Sequence, residues 1–251
     1  MIRHCIRAAR VCRRDLRQAL RFTRAWFGRW AWVALSLLVM TLLCVWWLRP
    51  LDEVVSEAVA VSNGSSAMLK PMARTLSYIG DFLGFNVVLF VVLQVAGWSL
   101  RSRRLVRVAV ASLLCACLSG ATANLVRGIV GRPRPCTALT DGLYGPSLRG
   151  DMHSLPSAHT ATAFGAALPV LSNIPELGVP LTVFASGVAW SRLQLERHHL
   201  TDVLVSVVLS GLFSLPLSHW AMSGRRRSVE VHSDASSLSV PHALAATRQP
   251  H

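Results

Sequence analysis

Uncharged stretches dominate the pattern of apolar and polar positions along this chain. Three of them, 30–48, 82–100 and 108–126, each run nineteen residues between charges. Such a stretch matches the roughly 20 apolar residues that carry a helix across about 30 Å of hydrocarbon at about 1.5 Å per residue. Three shorter runs follow, 160–175, 177–191 and 203–218, of 16, 15 and 16 residues. They can span if their polar neighbours, His159, Arg192 and Asp202, sit at the membrane surface within a site and not in lipid. The pattern predicts an all-α polytopic membrane protein, a bundle of six transmembrane helices. Pro169, Pro180 and Pro216 fall inside the late spans, where neighbouring helices can satisfy the freed carbonyls.

Composition removes the competing classes. The 251 residues are 52% hydrophobic and 15% charged, against about 25% charged in an ordinary soluble domain. That apolar content excludes disorder along most of the chain. A net charge of +14 would suit a nucleic-acid-binding protein, but a mean hydropathy of +0.44 does not, so no nucleic-acid partner is expected. The first run is also too long for a signal-peptide core of about 7–15 residues. Ala58–Ala60 resembles a cleavage site, yet Arg49, Asp52, Glu53 and Glu57 separate it from the run. The run reads as an uncleaved helix.

The arginines give the orientation. Residues 1–29 hold nine Arg and one Asp, 101–107 hold four Arg, and 225–227 hold three. These segments carry +15, so everything else nets −1. With six spans they share one side, which the positive-inside rule makes cytoplasmic, along with both termini. Segments 49–81, 127–159 and 192–202 then face outward, into the periplasm of a bacterial inner membrane or the extracellular side. Three regions result: a basic cytoplasmic segment 1–29, a membrane domain 30–220 and a tail 221–251 without apolar periodicity, read as disordered. The first segment suits either a basic amphipathic helix on the inner leaflet or a simple topology determinant. Only Cys136 of the six cysteines faces outward, so no structural disulfide is expected.

The outward segments concentrate polar residues that insertion does not require. Arg127-Gly-Ile-Val-Gly-Arg132-Pro-Arg134-Pro135 follows the third span. Pro156-Ser157-Ala158-His159 opens the fourth, and Ser191-Arg192 with His198-His199-Leu-Thr-Asp202 joins the fifth to the sixth. Arg127, Arg134 and Arg192 are permanent cations whose planar forks suit phosphoryl oxygens. Pro156 suits a helix start, where Ser157 and the Ala158 amide form an anion site. His159 is placed to protonate a leaving oxygen. His198 and Asp202 are four apart, on one face if helical, so the carboxylate can hold one imidazole nitrogen and leave the other free to attack. His199, three residues before Asp202, is also within reach. Zinc is the alternative use of His153, His159, His198 and His199, but only Asp202 and few other acceptors accompany them.

This ordered triplet resembles the type 2 phosphatidic acid phosphatase superfamily, with its Lys-x6-Arg-Pro, Pro-Ser-Gly-His and Ser-Arg-x5-His-x3-Asp motifs. The third matches in full from Ser191 to Asp202. The second has Ala158 for Gly, and the first has Arg127 at the lysine position before Arg134-Pro135. The resemblance implies a nucleophilic His198 that becomes a phosphohistidine, with Asp202 orienting it and His159 as the acid. Arg127, Arg134, Arg192, Ser157 and the Ala158 amide would bind phosphate. It also selects His198 over His199 and implies a metal-independent enzyme with no cofactor. A substrate at the outer interface would be a lipid phosphate: polyprenyl diphosphate, phosphatidic acid, phosphatidylglycerol phosphate or phosphorylated lipid A. The alternatives are a lipid phosphotransferase using the same intermediate and a non-catalytic lipid-binding scaffold. The oligomeric state is left open.

Overall fold

The computed structural model describes residues 2–237, without the side chains of 2–8, 44, 65 and 224–237. It is helical almost throughout: α1 (Ile2–Leu48), α2 (Pro50–Ser65), α3 (Leu69–Ile79), α4 (Val88–Ser99), α5 (Arg103–Val130), α6 (Ala158–Asn173), α7 (Pro175–Gln194) and α8 (Leu200–Ser237). A π-helical turn, Phe82–Val87, leads into α4. Among the described residues the sole β-type pairing is one isolated bridge, Arg132 to His153. Four of the six uncharged runs fall wholly within α-helix; 82–100 opens with the π-helical turn and ends one residue past α4, and 160–175 crosses the break between α6 and α7 at Ile174. Four helices are long and apolar enough to cross a membrane: Ala9–Leu48, Phe82–Ser99, Arg103–Val130 and Leu200–Ser223. α6 and α7 coincide with the fourth and fifth runs but do not meet that length and apolarity.

Burial explains the difference. α6 is central, with Ala161, Ala163, Ala166, Ala167 and Val170 fully buried against α5, α7 and α8. Its sixteen residues span about 24 Å. A helix enclosed by its neighbours contacts little lipid, so it need not match the hydrocarbon thickness. Small residues allow the close approach: a Cβ at Gly165 would lie 2.9 Å from the Ala116 Cα. α1 is the opposite case, with Trp32 and Trp47 80% and 85% exposed, as a lipid-facing surface requires.

The basic segment of α1 is a helix too, bent away from the apolar part at Trp30. Its Asp15, Ala19 and Thr23 are buried, and Phe27 meets Phe213 of α8 edge-on at 5.7 Å. Arg103 of α5 lies 3.8 Å from Asp15. The apolar face of this segment therefore packs on protein, leaving Arg13, Arg17, Arg21 and Arg24 outward. At the other terminus α8 continues to Ser237, past the expected boundary at 220, because extending an existing helix avoids a new nucleation. Residues 238–251 of the expected tail lie outside the described residues. Cys12, Cys115, Cys117 and Cys136 carry free thiols.

The end of α5 sets up the site. Gly131 terminates it in the left-handed conformation at φ +59°, and its amide returns to the Arg127 carbonyl. The loop beyond folds back over that end: Gly145 donates to the Val130 carbonyl and Ser147 to that of Gly128, satisfying acceptors the helix leaves open. A Cβ at Gly131 would sit 1.9 Å from the Gly145 carbonyl oxygen, whereas one at Gly145, also at positive φ, would meet nothing. Gly145→Ala is therefore expected to cost only the left-handed strain, about 1–2 kcal/mol. Gly131→Ala should cost clearly more and take activity with it. Thermal unfolding of the two variants in detergent checks the order; equal losses would contradict it.

Candidate active site

Four segments converge at one end of the bundle. Chain 132–134 pairs with 151–154, through Arg134 N to Asp151 O at 2.9 Å and Ser154 N to Arg132 O at 3.0 Å. That pairing delivers Ser154 to the α7–α8 turn. The Ser154 carbonyl lies 2.7 Å from His198 Nδ1, while Asp202 Oδ2 is 3.9 Å away. A carbonyl can only accept, so Nδ1 carries the hydrogen and a neutral His198 keeps its lone pair on Nε2. The sequence expectation gave this orienting task to Asp202. In the structure Ser154, which the motif reading passed over, takes the closer position.

Asp202 is fully buried at the first turn of α8. Its Oδ2 accepts from the His199 amide at 2.8 Å, from Ser154 Oγ at 2.5 Å, and lies 3.2 Å from His199 Nδ1. The reach back to the residue that precedes the helix is a capping-box contact, and a carboxylate here also complements the helix dipole. The two histidines are thus told apart by their partners. His199 sits against the carboxylate, and His198 against a carbonyl.

The cations behave differently from ordinary surface arginines. Arg192 Nη1 donates to Ser77 Oγ of α3 at 2.5 Å, but its Nε is buried without a partner, as is that of Arg134. No salt bridge among the described residues engages Arg127, Arg134 or Arg192. Burial first, then the neighbouring Arg197 and Arg127, pull the Arg134 guanidinium below its ordinary value. Like charges held close in a partly desolvated place are costly unless an anion joins them. His198 is pushed down to about 3, by burial first and then by Arg192 and Arg134, against the pull of Asp202 and the Ser154 carbonyl. His159, just ahead of the uncharged run of α6, is lowered to about 4 by burial and by Arg192, Arg127 and Arg134. Asp81 opposes that shift from 3.7 Å.

Ser157 precedes α6 with its side chain fully buried, and Thr160 Oγ1 donates to its Oγ at 3.0 Å. The Ala158 amide heads the first turn, at the positive end of the helix. All eight residues expected from the sequence belong to these converging segments. Ser154, Ser77 and Asp81 carry no motif signal, because their contacts to the site are made across distant segments.

Fold and site together define an integral-membrane, all-helical protein in which histidines and arginines without salt bridges gather at one end of the bundle. The PAP2 superfamily model matches residues 108–226, a little under half of the chain and the part that contains all eight. A crystal structure of a transmembrane PAP2-type phosphatidylglycerolphosphate phosphatase from Bacillus subtilis superimposes with a TM-score of 0.52. It shares 18% identity, over 76% of this chain and 96% of that one. No curated protein sequence matches. The chain has the fold of that transmembrane PAP2-type protein, and its residues 108–226 match the PAP2 superfamily model.

Proposed function

We propose that this protein hydrolyses a lipid phosphate or diphosphate, without a metal, through a phosphohistidine at the outer membrane face. The observation that carries this reading is a set of three part-buried or buried arginines without a salt bridge, two of them with a buried, partnerless Nε, beside two neutral imidazoles. Such a set offers a multivalent anion strong, charge-assisted hydrogen bonds. In the first step His198 Nε2 attacks phosphorus. The N–P bond forms as the P–O bond to the leaving group breaks, and His159 gives that oxygen its proton. Water then attacks the phosphohistidine, His159 takes a proton from it, the N–P bond breaks, and phosphate leaves. Arg127, Arg134 and Arg192, with Ser157 and the Ala158 amide, bind the equatorial oxygens throughout. The outward position follows from the arginine bias of the connecting segments, and lets a lipid keep its tails in the bilayer.

The test is phosphate release from a panel of lipid phosphates in detergent with EDTA present. Metal-independent release supports the reading. A protein that releases nothing without a second lipid acceptor would be a phosphotransferase, and one that binds without turnover a scaffold.

The lowered histidines also predict a pH profile. With His198 near 3, the nucleophile stays neutral well into acid. His159 is neutral too while the site is empty, so the proton for the leaving group must arrive with the anion, whose charge offsets the arginines. After correction for the substrate's own second ionisation near about pH 6, kcat/KM should hold between about pH 7 and pH 5. Without that correction it should fall toward alkali as the substrate gives up the same proton. An acidic limb centred near the ordinary histidine value of about 6.5 would contradict the assignment.

A further inference from the structure

We propose that Arg132, which lies outside the motif positions, is a positioning residue that fixes the catalytic end of α8 by clamping Asp202 to α2. The inference rests on the phosphatase reading above. Arg132 is 1% exposed, although arginine is among the residues least often buried. Its guanidinium is fully engaged. Nη1 donates to Asp202 Oδ1 at 2.6 Å and to Thr201 Oγ1 at 2.8 Å. Nη2 donates to Asp52 Oδ2 at 2.8 Å, and Nε with Nη2 forms a fork on Asp141 at 2.8 and 2.9 Å.

Asp52 completes the clamp from α2. Its Oδ1 accepts from the Thr201 amide at 2.9 Å and its Oδ2 from Thr201 Oγ1 at 2.6 Å. A carboxylate from another helix thus caps the second amide of α8, the kind of open donor a helix start leaves. Arg49, just before α2, adds a contact to Asp141 at 2.5 Å. The clamp binds Asp202 through Oδ1, while Oδ2 serves the His199 amide and Ser154. Ser154 in turn presents its carbonyl to His198. Motion of Asp202 would pass through Ser154 to the imidazole.

Arg132 is also distinguished from its neighbours by what it lacks. Arg127, Arg134 and Arg192 keep unpaired capacity for a ligand, whereas Arg132 has every donor nitrogen bonded to protein. It cannot bind phosphate without surrendering a carboxylate. Burial pulls its guanidinium down, but Asp141, Asp202 and Asp52 more than reverse that. A planar fork with donors in three directions satisfies this arrangement; a lysine does not.

The experiment measures kcat and KM on a lipid phosphate that the wild type turns over, for Arg132→Lys, Asp202→Asn and the double variant. Arg132→Lys should lower kcat about ten- to a hundredfold with KM within about threefold, because substrate contacts are intact and only the nucleophile's placement is lost. In the Asp202→Asn background the same change should cost less than about threefold, since Arg132 acts through Asp202. Asp52→Asn keeps the shape and an acceptor for Thr201, and serves if Arg132→Lys yields no folded protein. Its kcat should fall about three- to tenfold at constant KM. An unchanged kcat, a rise in KM instead, or additive losses in the double variant would overturn the inference. Absence of turnover by the wild type would instead remove the phosphatase reading on which it rests.

Discussion

His198→Ala is expected to abolish phosphate release, by at least about 10⁴-fold in kcat, while His199→Ala keeps the same mechanism at a reduced rate. Loss of a covalent nucleophile removes the pathway and leaves only what binding and the remaining electrostatics provide. The adjacent histidines make the comparison sharp. His198 has its Nδ1 on the Ser154 carbonyl at 2.7 Å, which leaves Nε2 as the attacking atom beside Arg134 and Arg192. His199 has its Nδ1 3.2 Å from Asp202, and its backbone amide is held by the same oxygen. Truncating His199 keeps that amide contact, so the start of α8 should survive. Acid-labile phosphate trapped on the wild-type protein should vanish in His198→Ala and persist in His199→Ala. The reverse pattern would transfer the nucleophile to His199.

Arg134→Ala should cost about 10²–10³-fold in kcat/KM, the range seen when one charge-stabilising donor is removed from a reaction centre. The same variant should be no less stable than wild type without ligand, and can be more so. Arg134 gives its neighbours repulsion, and its Nε is buried without a partner. Deleting it relieves a cost that only a bound anion offsets, the usual exchange of stability for activity at such sites. Phosphate or vanadate, which stabilises wild type by binding the folded state alone, should stabilise the variant far less. Thermal midpoints with and without the anion, beside kinetics on one lipid phosphate, read both halves. A variant that is inactive, much less stable and still fully protected by the anion would make Arg134 a structural residue. Arg192→Lys should behave almost as badly as an alanine, because its Nη1 is committed to Ser77 and a single ammonium cannot reach both partners.

The sequence by itself determined the solvent, the helices and the chemical inventory. Nineteen uncharged residues between charges can rest stably only in lipid or a large core, and a backbone in lipid must be helical. The motif spacings fixed which residues could share a phosphate, because Ser191 to Asp202 lies at one helix end, turn and helix start where register is local. Tertiary structure decided the rest. Arg132 and Arg134 are the same residue type two positions apart, yet one is consumed by three carboxylates and the other is left unpaired. Residue type does not separate them: Asp141 lies nine positions along the same loop, while Asp52 and Asp202 come from distant helices. α6 and α7 looked like two more lipid-facing spans by their missing charges, but α6 is enclosed by its neighbours. The face of α1 that could have entered the inner leaflet instead covers α5 and α8. Periodicity tells which side of a helix is apolar; what lies against that side is settled only when the chain folds.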